Sequence, residues 1–93
     1  MIIAVDFDGT LALGNKQYIC MLQPNIKLIE RLQNLSSDCF IKIVTARGAK
    51  ANLTDEVKEQ IYGKAIREWL KKHEVPCHQI SFKKEYADLY IDD

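Results

Sequence analysis

Two aspartates near the start of the chain, Asp6 and Asp8, are the residues whose type and spacing best suit chemistry. They end an apolar, mostly β-branched run at 2–5, which predicts a strand buried on both faces. Side chains two apart in a strand point the same way, so both carboxylates leave the strand end on one side. Their repulsion and lost hydration cost free energy unless a cation or a tuned protonation state relieves them. Gly9 then permits a sharp turn, and Thr10 adds a hydroxyl group and a backbone N–H.

Two later β-rich runs also end in polar residues. Phe40–Val44 ends at Thr45, and Leu89–Ile91 ends at Asp92 and Asp93. In a layered α/β fold the carboxyl ends of parallel strands meet at one edge of the sheet, where sites are usually built. We therefore expect these polar groups to lie beside the first acidic pair.

The segments between these runs predict helices. Apolar residues recur at helical spacing from about Pro24 to Ser36, and a second stripe runs from Val57 to about His73, with Thr54 as its N-cap. Residues 12–21 lack a clear period and predict a loop or a small hairpin flap. Strands that alternate with helices predict an α/β fold with a Rossmann-like parallel sheet and flanking helices.

A third strand candidate, Cys77–Phe82, fits this order less well. Only Lys83–Asp88 separate it from the last strand, whereas a parallel crossover normally needs a dozen or more residues. Either the third strand is short or peripheral, or it does not run parallel to the others.

Composition limits the class of protein. The 93 residues predict a single domain over 1–93, and 13 basic residues balance 13 acidic ones, so charge gives no reason to expect nucleic acid as a partner. No apolar run approaches the roughly 18 residues of a membrane span. Three widely spaced cysteines without a CxxC motif are typical of reduced thiols in a cytoplasmic protein.

The segment Asp6–Leu11 (Asp-Phe-Asp-Gly-Thr-Leu), following a hydrophobic strand, resembles the first signature of the haloacid dehalogenase-like (HAD) phosphohydrolases. The other three signatures have matches in order: Thr45, then Lys83 or Lys84, then Asp92-Asp93. The resemblance implies a HAD-like core and a phosphatase that works through an aspartyl-phosphate.

The resemblance also implies a role for each matching residue. Asp6 is the nucleophile, Asp8 the general acid and base, and Thr45 and Lys84 bind the transferring phosphoryl group; spacing favours Lys84 over Lys83. Magnesium is held by the Asp6 carboxylate, the Asp8 backbone carbonyl and Asp92, with Asp93 binding directly or through water. Substrate contacts are expected from the neighbouring residues Gly9, Thr10, Ala46, Arg47 and Lys83. An exposed surface position for Arg47 is an equal alternative.

A narrower resemblance, to the small phosphatases of capsule and surface-polysaccharide biosynthesis, rests on Thr45–Gly48, on Trp69-Leu70 ahead of Val75-Pro76, and on Ala87–Asp93. It implies a phosphorylated sugar as substrate. Glu85 stands where that family often has proline. Neither segment where the superfamily inserts a cap is long enough to hold one, so we expect a capless enzyme. An open site implies a bulky substrate, or a lid from a second subunit or a fused domain.

Two other functions remain open. Phosphoacceptor receiver domains also combine acidic residues, a threonine and a lysine, but their phosphorylated aspartate ends a later strand, and Phe40–Val44 ends in Thr45. A catalytically silent HAD-like module of a larger protein is the other alternative. A HAD-like fold normally continues with a helix after the last acidic motif, so we expect either a longer natural polypeptide or dimerisation through the uncovered face.

Overall fold

The computed structural model describes residues 1–15, 18–49, 51–84 and 86–92. Its strands and helices are β1 (Ile2–Asp6), β2 (Ala12–Leu13), β3 (Gln23–Pro24), α1 (Ile26–Leu35), β4 (Phe40–Val44), α2 (Asp55–Lys58), α3 (Lys64–Lys72), β5 (Gln79–Ser81) and β6 (Leu89–Ile91). Four strands form a parallel sheet in the order β5-β4-β1-β6. The predicted α/β fold, with a parallel sheet and flanking helices, is confirmed.

The central strand β1 has neighbours on both sides, as its unbroken apolar sequence predicts. Ile3 and Val5 pair in register with Ile41 and Ile43 of β4, and these four side chains share one face of the sheet. That face belongs to an apolar cluster that also contains buried residues of α1 and α3. Because side chains alternate along a strand, Asp6 lies on the opposite face.

Helix α1 begins one residue after its cap. The Asn25 side chain accepts a hydrogen bond from the Leu28 N–H at 3.3 Å and donates one to the Thr10 carbonyl at 3.0 Å. Asn25 therefore satisfies an unpaired N–H at the start of the helix and ties it to the loop after β1. Pro24 belongs to β3, two residues before the first helical residue.

The second helical stripe is confirmed with one difference. Thr54 caps it as predicted, since its hydroxyl accepts from the Val57 N–H at 3.3 Å. A turn of π-helix, Glu59–Gly63, separates α2 from α3. The sequence predicted one uninterrupted helix, because a single wider turn shifts the apolar stripe without ending it.

The third strand is both short and peripheral, which answers the question left by the sequence. β5 has three residues, pairs in parallel with β4 and forms one edge of the sheet, while β6 forms the other. The chain therefore goes from one edge of the sheet to the other between β5 and β6, and both candidate lysines, Lys83 and Lys84, lie in the described part of this connection.

The segment after β1 is a small hairpin flap, as predicted. β2 and β3 pair antiparallel, and the Trp69 indole N–H donates to the Leu22 carbonyl at 3.1 Å, which joins the flap to α3. The three cysteines are free. Within the described ranges, no helix has the length and apolar character needed to cross a membrane.

Candidate functional site

The site lies at the carboxyl edge of the sheet, where β1 and β4 end next to each other. Asp6 is the last residue of β1, and the chain turns at Gly9, whose φ of 83° is the left-handed conformation that glycine adopts without strain. Thr45 directly follows β4 and is buried. The predicted meeting of these strand ends is confirmed by the contact between Thr45 and Asp8.

Asp8 is held on the β4 side of the site. Its Oδ1 accepts from Arg47 Nη2 at 2.7 Å and from Nε at 3.1 Å, while its Oδ2 accepts from Nε at 3.2 Å and from the Thr45 hydroxyl at 3.2 Å. The Arg47 N–H also donates to the Thr45 hydroxyl at 3.2 Å. Two-point contacts of this kind fix the orientation of a carboxylate. Arg47 is therefore an ion-pair partner of Asp8, and its role in substrate binding stays a prediction.

Asp6 has a different environment, on the β6 side. Its Oδ1 accepts a long hydrogen bond, 3.4 Å, from the Tyr90 hydroxyl. Burial raises the pKa of the Asp6 carboxyl above its usual value, and the charges of Asp92 and Asp8 raise it further. The Tyr90 hydrogen bond and the Lys84 charge act in the other direction. The net rise in pKa means that negative charge at Asp6 is incompletely compensated.

Lys84 comes from the connection between β5 and β6. Its ammonium group lies 3.9 Å from the Asp92 carboxylate and 4.8 Å from the centre of the Tyr90 ring. The side chain remains mostly exposed, so these contacts can rearrange at little cost. The backbone of the neighbouring Lys83 is fixed by the Ser81 hydroxyl, which donates to its carbonyl at 2.7 Å.

A cavity of about 430 Å³ opens at this edge and brings five of the predicted site residues together: Asp6, Thr45, Ala46, Lys83 and Lys84. Gly9, Thr10 and Asp92 line a neighbouring cavity of about 370 Å³. The Thr10 hydroxyl oxygen is buried and, among the described residues, has no hydrogen-bond partner. Eight of the predicted residues therefore line these two cavities, whereas Asp8 and Arg47, which bind each other, line neither.

The predicted magnesium ligands are oxygen donors of the kind that magnesium prefers, and the uncompensated charge at Asp6 suits a cation. Asp93 lies outside the described residues. Among the residues that are described, no three acidic, histidine or cysteine side chains come close enough to hold a metal together. The available set is therefore the Asp6 and Asp92 carboxylates with the Asp8 backbone carbonyl, because the Asp8 side chain faces Arg47.

Two residues that contact this site were missed in the sequence. Tyr90 stands two residues before Asp92 and pairs in register with Ala4, so strand alternation places it on the face of Asp6. That alternation could have identified Tyr90 as a neighbour of Asp6 from the sequence alone. Lys58, which lines the larger cavity, stands four residues before Tyr62 of the apolar stripe. A lysine on an apolar stripe was the signal for a buried cation.

Comparison with known proteins adds a structural relative. No family model matches the chain, and no curated protein matches it. The crystal structure of an MCSG target from Vibrio cholerae aligns with 98% of this chain and 78% of its own, with 32% sequence identity and a TM-score of 0.76. It is named only as a target, so the comparison supports the fold of this chain and indicates no activity.

Proposed function

We propose that this chain, which belongs to the same family as the Vibrio cholerae target protein, is a magnesium-dependent phosphomonoesterase with a HAD-like core and no cap domain. One observation carries the proposal: Asp6, Thr45, Lys83 and Lys84, which come from three separate segments, line one cavity at the carboxyl edge of the sheet. These residues offer a carboxylate as nucleophile, and a hydroxyl and two ammonium groups that can stabilise the phosphoryl oxygens.

The reaction has two steps that use the two aspartates differently. In the first, an Asp6 carboxylate oxygen attacks phosphorus, the ester P–O bond breaks, and Asp8 gives its proton to the leaving alcohol oxygen. In the second, water attacks the aspartyl-phosphate, Asp8 takes a proton from that water, and inorganic phosphate leaves with Asp6 regenerated. The alcohol and phosphate together account for the ester and one water.

Arg47 determines when Asp8 can act. Both Asp8 oxygens face hydrogen-bond donors, three contacts from Arg47 and one from Thr45. A proton on Asp8 requires one oxygen to be released, and a substrate phosphate is an alternative partner for the guanidinium. We propose that Arg47 turns from Asp8 toward the phosphoryl group when substrate binds.

The equatorial phosphoryl oxygens need positive charge and hydrogen-bond donors, because such transition states accumulate charge there. Thr45 and Lys84 supply them from opposite sides of Asp6. A magnesium ion bound by Asp6, Asp92 and the Asp8 carbonyl would neutralise repulsion between carboxylate and phosphate. Magnesium binding can be checked without turnover: calorimetry should detect it in the wild type and find it lost in Asp92→Ala, and unchanged binding in that variant would contradict the ligand set.

The substrate class follows from the resemblance to polysaccharide phosphatases: we propose a phosphorylated sugar, hydrolysed in the cytoplasm, where free cysteines stay reduced. A panel of sugar phosphates, nucleotides and phospholipid headgroups, assayed for phosphate release with magnesium and with EDTA, tests the function. We expect magnesium-dependent release from sugar phosphates. Release from none of the esters would contradict the proposal.

A further inference from the structure

Lys58 is a buried cation in the wall of the larger cavity. It is 9% exposed as a residue and lies at the end of α2. The loop after β4 packs on its aliphatic stem, since a Cβ placed on Gly48 would lie 3.1 Å from Lys58 Cγ. Gly48 has a φ of 85°, so glycine suits both the backbone and this close approach. The stem is thereby held in one position, in the wall of the cavity.

The local ion pair does not account for burying this charge. Among the described residues the nearest carboxylate is that of Asp55, which lies 4.0 Å from the ammonium group, and its side chain is 62% exposed against 11% for Lys58. A pair at that distance with a solvated partner contributes little, whereas taking an ammonium group out of water is costly. An anion that enters the cavity would compensate the charge of Lys58 better than Asp55 does.

The cavity has more lysines than the proposed reaction uses at the phosphoryl group. Among its described lining residues there are three lysines, Lys58, Lys83 and Lys84, and one carboxylate, Asp6. Its volume of about 430 Å³ is in the range of small-molecule sites and leaves room for more than a phosphate group.

The lysines are also spread across the cavity. Lys84 lies over Tyr90 of β6, and Lys58 lies against Gly48, which follows β4. Because β4 and β6 flank β1, their axes are separated by two strand spacings, roughly 9.5 Å. A phosphoryl group at Asp6 that uses Lys84 leaves Lys58 for a different part of the same molecule.

We infer that the substrate is a phosphate monoester with a second anionic group, and that Lys58 binds that group. The inference rests on the proposed phosphatase function and narrows its substrate class. The chemistry that Lys58 recognises is a carboxylate or a second phosphate on the carbon skeleton of the ester.

Matched esters test this directly. 6-Phosphogluconate carries a carboxylate that sorbitol 6-phosphate lacks, and glucose 1,6-bisphosphate carries a phosphate that glucose 6-phosphate lacks. We expect the wild type to prefer the doubly anionic member of at least one pair in kcat/KM by about 10- to 100-fold, and the pair that is discriminated identifies the second group. Lys58→Met keeps the buried stem and removes the charge, so the ratio of kcat/KM between the two esters of that pair should fall to about one.

Two further variants distinguish a binding role from a structural one. Lys58→Arg keeps a cation and should retain part of the preference, and Lys64→Met, which removes an exposed lysine from the same helical segment, should leave it unchanged. Melting curves verify that each variant is folded. Hydrolysis of all four esters without preference, or a preference that survives in Lys58→Met, would overturn the inference and leave the phosphatase intact. Absence of hydrolysis for every ester would overturn the proposed function and this inference with it.

Discussion

The two sides of the site treat chemically identical carboxylates in opposite ways. On the β4 side, Asp8 receives four hydrogen-bond contacts from Arg47 and Thr45. On the β6 side, Asp6 receives one long hydrogen bond from Tyr90, and its pKa is raised by burial and by neighbouring carboxylates. These aspartates are two residues apart on one chain, so the difference comes from the flanking strands.

The contrast matches the two tasks that the proposed reaction assigns. A proton carrier must be oriented, and the guanidinium and hydroxyl orient Asp8. A nucleophile must keep an unshared electron pair available, and an oxygen covered by strong donors attacks poorly. Asp6 is left with uncompensated charge, which a cation or a phosphoryl group can use.

The largest expected effect comes from the β6 side. Asp6→Asn removes the nucleophile, so kcat should fall by about 10⁴-fold or more. Its melting temperature should stay equal to that of the wild type or rise slightly, because the lost charge is one that the fold disfavours. Asp38→Asn, at an exposed position after α1, is the matched control. Wild-type turnover in Asp6→Asn would refute the mechanism.

The β4 side is tested next by Asp8→Asn. Loss of the acid and base should lower kcat by about 10²- to 10⁴-fold. An acidic alcohol leaves in the first step without a proton from Asp8. With such an ester, hydrolysis of the aspartyl-phosphate should therefore be the step that Asp8→Asn slows most. Rapid quenching with p-nitrophenyl phosphate should therefore trap phosphate on Asp6, detectable by intact mass. An unmodified protein during turnover would speak against a covalent intermediate.

Arg47→Lys sharpens the same comparison with a smaller effect. Lysine keeps the charge but cannot make a two-point contact, neither with Asp8 in the free enzyme nor with the phosphoryl group after substrate binds. We expect kcat/KM to fall by about 10- to 100-fold, as for a lost hydrogen bond to a charged group. Arg47→Met should fall further. Equal kinetics in wild type and Arg47→Lys would show that the ion pair with Asp8 has no part in catalysis.

Tyr90→Phe should have the smallest effect and a definite sign. Asp6 must be ionised to attack, so kcat/KM declines as pH falls below its pKa. The Tyr90 hydrogen bond lowers that pKa, and removing it should raise the pKa, moving the acid limb of the pH–rate profile to higher pH. At neutral pH, kcat/KM of Tyr90→Phe should differ from that of the wild type by a few-fold at most. A limb that moves to lower pH would contradict the assignment of Asp6.

The sequence predicted the parts that depend on pattern within one segment. The apolar run of β1, the cap at Thr54 and the strand end at Thr45 are local features, and each was located to within a residue or two. The parallel pairing of β5 was undecided, because strand direction depends on partners 37 residues away, as in the pair Lys42 and Gln79.

The site shows the same division. The sequence proposed the two aspartates and the lysine pair as site residues but gave no sign that Arg47 would bind Asp8, 39 residues earlier in the chain. Side-chain partners at that separation depend on loop conformation, here on the turn at Gly48 with its positive φ. For Lys58 the apolar stripe was a signal of burial, but its place beside the cavity was not predictable, since it depends on that loop packing on α2.

The junction of β6 with β1 has a consequence for the order of folding. Asp88 Oδ2 accepts from the Ile2 N–H at 2.7 Å, and the Asp88 N–H donates to the Ile2 carbonyl at 2.8 Å, which closes a loop of 86 residues. Loop-closure entropy makes such a contact slower to form than the pairing of β1 with β4. A chain with only the latter pairing already has the two strand ends that Asp8 and Thr45 follow, but not Tyr90, the β6 partner of Asp6. Amide hydrogens of β6 should therefore exchange faster than those of β4, and acquisition of activity during refolding should follow the docking of this last strand.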